Sequence, residues 1–449
     1  MKLCGCVVTW LGKGDLEKMK SSVCIQIPAI ILCAAAAFFA FSAPAADWPQ
    51  FMGPNRDGVS PETGLARTWP DGGPKVLWTL PLGQGYASPS VRDGEVYVLD
   101  RVDQKQDVLR CLGLNDGKEL WNFAYDAPGE VSHDGSRTAP TIDEKCVYTV
   151  GALGHFYSVD RKTHKPMWNK NLVADFGADE PGWGIVQAPS LYKDLVIVSA
   201  MAKEGCIVVA YKKASGDIAW KSEVLGLLGY STPVVTKLAG ADQVVMAAAC
   251  KKGGGSPGKV AGLNPDTGAT LWTYDGFQCS IPIPYPTPLP DDRLFITGGY
   301  GAGSCMIQVK QQDGKFTVKE MFKTTECGSQ IQQPLFYKDY LYVNSNSNER
   351  EDGMMCMALD GTIKWKTKDS WFTATFERGP LLLADGMIYN LDGKKGVLYL
   401  VEPSPDAFKK LAEVKLLGGK EIWSPMALSQ GKLLLRSQSE MKCLDVKTP

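Results

Sequence analysis

Residues 261–272 read Ala261-Gly262-Leu263-Asn264-Pro265-Asp266-Thr267-Gly268-Ala269-Thr270-Leu271-Trp272. A short apolar strand ends at Leu263. A turn of Asn, Pro, Asp and Gly follows, and a second strand opens at Thr270 and reaches an indole within three residues. Gly268 gives the turn a residue that adopts positive φ without a Cβ penalty. Upstream, Thr232-Pro233 leads through Val244-Val245-Met246 into the same stretch. One unit is therefore a proline, short apolar strands, an Asp/Gly turn and a Trp. The preceding unit repeats it: Ala188-Pro189, Leu195-Val196-Ile197-Val198, Cys206-Ile207-Val208-Val209-Ala210-Tyr211, then Ser215-Gly216-Asp217-Ile218-Ala219-Trp220.

Across the chain the marker proline recurs at 89, 140, 189, 233, 288, 334, 380 and 425, spaced 44 to 55 residues apart. A period of that length holding four short strands predicts blades of a β-propeller rather than a helical solenoid. The expected fold is all-β: an eight-bladed β-propeller of four-stranded antiparallel blades over residues 75–449, with residues 46–74 as an N-terminal extension. The Trp after the turn recurs at 121, 168, 220, 272 and 365. Each is expected to wedge against the neighbouring blade, where burial stabilises by about 2–3 kcal/mol. The fifth and seventh units carry Phe316-Thr317-Val318 and Leu411-Ala412-Glu413-Val414 instead, so these blades are expected to pack less tightly. The eighth unit stops one strand short at Cys443-Leu444-Asp445-Val446, while Val76-Leu77-Trp78 is an outer strand with no blade before it. Pairing the two closes the ring and removes a free sheet edge.

Composition restricts the function. With 48 basic and 49 acidic residues in 449, the formal charge of −1 recruits no polyanion by bulk electrostatics, and nucleic acid is not an expected partner. The one long apolar run, Ala29 to Phe41, is too short for a stable membrane anchor but suits a signal-peptide core. Lys20 flanks it on the basic side, and Ala43-Pro44-Ala45 offers a cleavage site. Residues 1–45 therefore read as a signal peptide, with Met19 as the natural start, and no transmembrane anchor is expected after cleavage. The expected location is periplasmic or soluble in the cell envelope. Nine cysteines follow residue 45, an odd number lying mostly in apolar strand-like stretches, and they are expected to be buried thiols rather than a disulfide framework. Three histidines and the absence of any Cys-x-x-Cys pair argue against zinc and haem.

The turn-and-Trp pattern of residues 261–272 resembles the tryptophan-docking motif of pyrroloquinoline-quinone-like propeller repeats, and the resemblance covers nearly all of the chain after residue 45. The opening Asp47-Trp48-Pro49-Gln50-Phe51-Met52-Gly53-Pro54-Asn55-Arg56-Asp57-Gly58 is similar to that of exported propellers of planctomycete and verrucomicrobial kind, although Met52 stands where Arg is common. The resemblance implies one of two activities. Quinoprotein dehydrogenases carry pyrroloquinoline quinone and calcium over the channel and oxidise alcohols or sugars, many with a disulfide between adjacent cysteines that this chain lacks. Scaffold members, such as the outer-membrane assembly propeller, bind protein segments. Chain length and the lack of a haem domain favour the binding or scaffold reading.

In a propeller the loop before each marker proline descends to the innermost strand, so its residues converge on one mouth of the channel. That criterion selects Tyr86 and Ser88, His133, Asp134 and Arg137, Trp183 and Gln187, Tyr230, Tyr285, Gln330 and Gln332, Glu377 and Arg378, and Glu421 and Trp423. Such a ring would stack and orient a planar anionic cofactor, with Arg137 or Arg378 on its carboxylates and Glu377 or Asp134 as calcium ligand or base. It would equally grip a peptide or glycan, so the expected partner is a protein segment or small molecule. Ser132-His133-Asp134 is no catalytic triad, because sequence neighbours cannot form the relay. Gly253-Gly254-Gly255 lacks the lysine of a phosphate-binding loop.

Overall fold

The middle strands of each repeat are apolar on both faces, and the outer strands alternate. This is the pattern of small sheets stacked side by side around an axis. The computed structural model describes residues 46–179, 182–252, 255, 257–347, 350–370 and 374–448. The expected leader, residues 1–45 with Met19, lies outside them, as do Gly253 and Gly254.

Eight antiparallel sheets form. Blade 1 runs from its innermost strand outward as Ser90–Arg92, Glu95–Val102, Gln106–Gly113 and Glu119–Asp126. Blades 2 to 7 occupy residues 141–171, 190–221, 234–274, 287–324, 335–366 and 381–415 in the same order. Blade 8 has three strands from the C-terminus, Ala427–Ser429, Lys432–Arg436 and Glu440–Asp445, and takes its outermost strand, Lys75–Pro81, from the N-terminal side. Lys75 pairs with Asp445 and Pro81 with Glu440, so the ring closes as expected.

The hydrophobic core lies between blades. Ile197, Cys206 and Val208 of blade 3 pack with Val244, Met246 and Leu263 of blade 4 in one cluster. The outer strand of every blade carries a register shift, as at Ala219, opposite Ala210 and Tyr211, or at Leu271, opposite Gly262 and Leu263. Such bulges re-aim side chains. Trp78, Trp168 and Trp220 each lie over the turn of the next blade. Their indole N–H groups donate to the carbonyls of Leu114 (2.9 Å), Lys213 (2.8 Å) and Pro265 (3.0 Å). The glycines in those turns leave room for the rings: a Cβ on Gly117 would stand 2.7 Å from Trp78, and one on Gly216 2.7 Å from Trp168. Trp365 donates to Ser404 (2.9 Å), and Trp121 stacks on His164 at 4.5 Å. Trp272 departs from the pattern by donating to Gln243 of its own blade (2.6 Å).

In the fifth and seventh blades other side chains take the docking position. In blade 5 the docking ring is Phe322, at the far end of the outer strand from Phe316; a Cβ on Gly361 would stand 2.9 Å from it. Phe316 and Val318 instead pack into the cluster around Trp272. In blade 7, Val414 lies against Gly73, ahead of the ring-closing strand. All nine cysteines after residue 45 are free thiols, and all but Cys250 are buried.

The N-terminal segment runs inside the ring. The Asp47 carboxylate accepts the Asp93 amide (3.1 Å) at the turn leaving blade 1's innermost strand, on the face opposite the pre-proline loops. Trp48 exchanges backbone hydrogen bonds with Val91 of blade 1, and the Pro49 carbonyl accepts Ile142 N–H of blade 2. Arg56 reaches the Pro189 carbonyl of blade 3 (2.6 Å). Met52 packs with Val234, Tyr285 and Leu335. Val59–Ser60 adds a parallel strand to the innermost edge of blade 7. The channel is therefore filled from one side by residues 47–60.

Candidate functional site

Each pre-proline loop connects an outermost strand to the next innermost one, so eight loops descend on the axis from one face. The hairpins joining second and third strands open on the same face. Together they surround a cavity of about 600 Å³, within the range of small-molecule sites. Phe51, from the segment that fills the channel, contributes to its lining.

Of the residues selected from sequence, Tyr86, His133, Arg137, Trp183, Tyr230, Gln330, Gln332, Glu377, Arg378, Glu421 and Trp423 line this cavity. Four do not. Asp134 turns away from His133 and lines a separate cavity beside Gly83 and Asp100. Gln187 is 1% exposed and donates to the Ser199 carbonyl (2.8 Å) below the mouth. Tyr285 is buried against the channel segment, its hydroxyl donating to the Arg56 carbonyl, and the Ser88 hydroxyl is buried against Pro89. The sequence criterion missed Phe51, Tyr300, Glu351 and Lys394, as well as Lys420 beside Glu421. Tyr300 and Lys394 sit in the hairpins between second and third strands. The only sequence signal for Tyr300 is its glycine-rich turn, Gly298-Gly299-Tyr300-Gly301.

One wall is an aromatic and acidic cluster built by three loops. The Tyr86 and Trp423 rings stack at 5.6 Å with 22° between planes, and His133 sits edge-on to Tyr86 at 6.5 Å. The Tyr86 hydroxyl donates to Glu421 Oε2 (2.6 Å), and His133 Nδ1 lies 3.4 Å from the same oxygen. Burial and the bond to Glu421 raise the Tyr86 phenol well above its ordinary range. Burial works against the Glu421 charge, yet the hydrogen bonds from Tyr86 and His133 hold its carboxyl below the usual value.

The adjoining wall is a guanidinium network. Arg378 donates to Gln330 and to Glu377, and lies over the Trp423 ring at 5.4 Å. Trp423 Nε1 donates to the other Glu377 oxygen (3.2 Å). Gln332 holds the two loops together by donating to the carbonyls of Arg378 and Trp423, both at 2.8 Å. Across the cavity, Trp183 and Tyr230 form a second aromatic pair at 5.8 Å.

Arg137 differs from Arg378. It lies over Tyr86 at 5.6 Å and donates to the backbone carbonyls of Ser132 and His133. Its Nε has no hydrogen-bond acceptor, and among the described residues it forms no ion pair with a carboxylate. Burial pulls its pKa down to about 10, which leaves it cationic at neutral pH. His133, Arg378 and Glu421 all adopt positive φ, at 59°, 52° and 57°. Non-glycine residues rarely do so, and here the hydrogen bonds just described hold all three.

The donors at the mouth do not fit a calcium ion, which takes six to eight oxygen ligands. Both oxygens of Glu377 are engaged by Arg378 and Trp423, and Glu421 Oε2 by Tyr86 and His133. Among the described residues no group of three or more His, Cys, Asp or Glu side chains is arranged to hold a metal. The aromatic and guanidinium surfaces do fit a planar or apolar body that carries negative charge.

Comparison with known proteins places this architecture. No helix among the described residues is long and apolar enough to cross a membrane. No curated protein matches the chain by sequence. Among solved structures, quinohemoprotein alcohol dehydrogenase from Comamonas testosteroni shares the fold with a TM-score of 0.61 at 13% identity, over 91% of this chain and 82% of that one. BamB from Moraxella catarrhalis does so with a TM-score of 0.57 at 15% identity, over 84% of this chain and 98% of that one. A europium-containing methanol dehydrogenase gives 0.56 at 14% identity, over 87% and 89%. These likenesses establish the PQQ-like propeller fold. The family profile described as "Outer membrane protein assembly factor BamB" matches residues 104–276 and 258–433, more than half of the chain. The chain belongs to this BamB-type family of PQQ-like β-propellers.

Proposed function

We propose that this chain is an exported binding or scaffold module of the cell envelope. Residues 1–45 are its leader, and the channel mouth takes an anionic small molecule or an acidic protein segment. The observation that carries this reading is the asymmetry of charge at the mouth. Glu377 and Glu421 are both engaged by partners inside the protein, whereas Arg137, which lines the same cavity, forms no ion pair with a carboxylate among the described residues. Aromatic faces at Tyr86, Trp423, Trp183 and Tyr230 supply the contact area, and Arg137 supplies the charge-assisted hydrogen bonds. Asp134 and Gln187 are not assigned to ligand contact in this reading, since neither lines the cavity.

The reading is tested by fluorescence titration. Trp183 and Trp423 line the cavity and report on its contents, so an acidic peptide or acidic saccharide should change their emission saturably. Arg137→Gln should weaken binding about 10-fold or more and lower the melting temperature by only about 1–3 °C, through loss of the bonds to the Ser132 and His133 carbonyls. A neutral analogue binding as tightly as the acidic ligand would overturn the assignment.

The second reading is a quinone-dependent alcohol or sugar dehydrogenase. It is supported by the fold shared with the quinohemoprotein and by a cavity that could receive a planar acid. The internal bonds of Glu377 and Glu421 weigh against it, because they occupy three of the four carboxylate oxygens of this pair and leave too few for a calcium ion.

A further inference from the structure

Arg56 lies in the segment that fills the channel and is only 5% exposed. Its Nη2 donates to the Pro189 carbonyl at 2.6 Å, and its Nη1 is buried with no hydrogen-bond partner. Two other buried arginines of this chain show how such a charge is ordinarily met. Arg101 is paired with Asp107 at 2.8 Å and also reaches the Ala127 and Gly129 carbonyls. Arg436 donates to the carbonyls of Ser437, Ala87 and Gly83 and feels the charge of Asp100. Among the described residues Arg56 has one carbonyl acceptor and no carboxylate partner. Asp57 beside it directs its carboxylate to the Val59 amide instead, at 3.0 Å. A water molecule would satisfy Nη1 but would leave the charge uncompensated in a low-dielectric interior, which is costly.

We propose that Arg56 holds a small monovalent anion of halide size inside the channel, below the ligand cavity. Arg56 is 5% exposed and is not among the residues that line the mouth cavity, so the occupant is a free ion rather than a side chain of a partner. Burial pulls the Arg56 pKa down to about 10, and the group therefore stays charged at neutral pH. The anion neutralises the guanidinium and fixes the Gly53–Gly58 turn, in which Arg56 adopts φ of 56°. Arg56 also meets Tyr285, whose ring packs edge-on against Phe51 at 6.1 Å. Occupancy by the anion therefore steadies a residue that lines the mouth.

The mature chain is unfolded thermally in sodium chloride or bromide and in sodium gluconate at equal ionic strength. Binding to the folded state alone predicts a saturable rise in Tm with halide of about 1–3 °C. The rise should be absent in Arg56→Gln and retained in Arg137→Gln. Crystals grown in bromide should show anomalous density within hydrogen-bonding reach of Arg56 Nη1, a result that needs no variant to fold. Equal stability in gluconate and halide, loss of the effect in Arg137→Gln but not in Arg56→Gln, or a bromide-free Nη1 would each overturn the proposal.

Discussion

Substitution of Trp220 by alanine tests how neighbouring blades hold together. The indole is 7% exposed, covers the turn of blade 4 at Gly268 and donates to the Pro265 carbonyl at 3.0 Å. Removing the ring takes about 150–250 Å² of buried aromatic surface out of the interface and leaves a cavity, and losses of ~3–5 kcal/mol are usual for such sites. Unfolding entropy of ~2.1 cal/mol/K per residue over about 400 residues gives ~0.8 kcal/mol/K, so the melting temperature should fall by about 4–6 °C. Circular dichroism on heating measures it. Leu120→Ala, at a side chain 54% exposed, is the control and should stay within ~0.5 kcal/mol of the parent. A double-mutant cycle sharpens the test. Gly268 has φ of 73°, and a Cβ there would clash with the Trp220 ring. Gly268→Ala should therefore cost less in the Trp220→Ala background, where only the backbone strain remains. A Trp220→Ala loss below ~1 kcal/mol, or additive effects of the two substitutions, would refute the interblade role.

Other outcomes follow from the same structure. In the native chain a thiol reagent at pH 8 should label at most Cys250, because the other eight thiols are buried and burial pushes several, Cys206 and Cys443 among them, up to about 12; labelling of all nine should await unfolding. Met52→Arg should destabilise by ~3 kcal/mol or more, since Met52 is 4% exposed among Val234, Tyr285 and Leu335 and a charge there gains no partner. Glu421 has its folded pKa below the ordinary value, so its contribution is present above the unfolded pKa and is lost as pH falls through the folded one. The loss should therefore lie below pH ~4, read as a change in Trp423 emission that Glu421→Gln abolishes.

The repeat was legible because blades impose a period. Marker prolines, Asp/Gly turns and docking tryptophans mark equivalent points of each sheet, and the orphan strand at Val76-Leu77-Trp78 announced ring closure. Phe322 was not legible: finding it requires the register of a ten-residue outer strand with a shift at Met321, opposite Met306 and Ile307. The channel segment carries no periodicity. Its prolines, glycines and polar residues read as an extension, and only the burial of Trp48, Met52 and Arg56 reveals what it does.

At the mouth, the loops could be named from topology, but side-chain direction could not. Gln187 and Tyr285 stand close to marker prolines like their neighbours, yet both turn into the protein. His133 and Asp134 are adjacent and diverge to different cavities. The Tyr86–Glu421–His133 cluster joins residues more than 280 positions apart, so its hydrogen bonds exist only once the ring has closed. Tyr300 and Lys394 belong to the second set of loops on the same face, the hairpins between second and third strands, which carry no marker proline.

The most direct test of the central claim is calorimetric titration of residues 46–449 with pyrroloquinoline quinone in the presence and absence of calcium, followed by dye-coupled assay on alcohols and sugars. A mouth whose Glu377 and Glu421 are engaged internally predicts no calcium-dependent binding and no oxidation. Micromolar, calcium-dependent binding with substrate oxidation would contradict it.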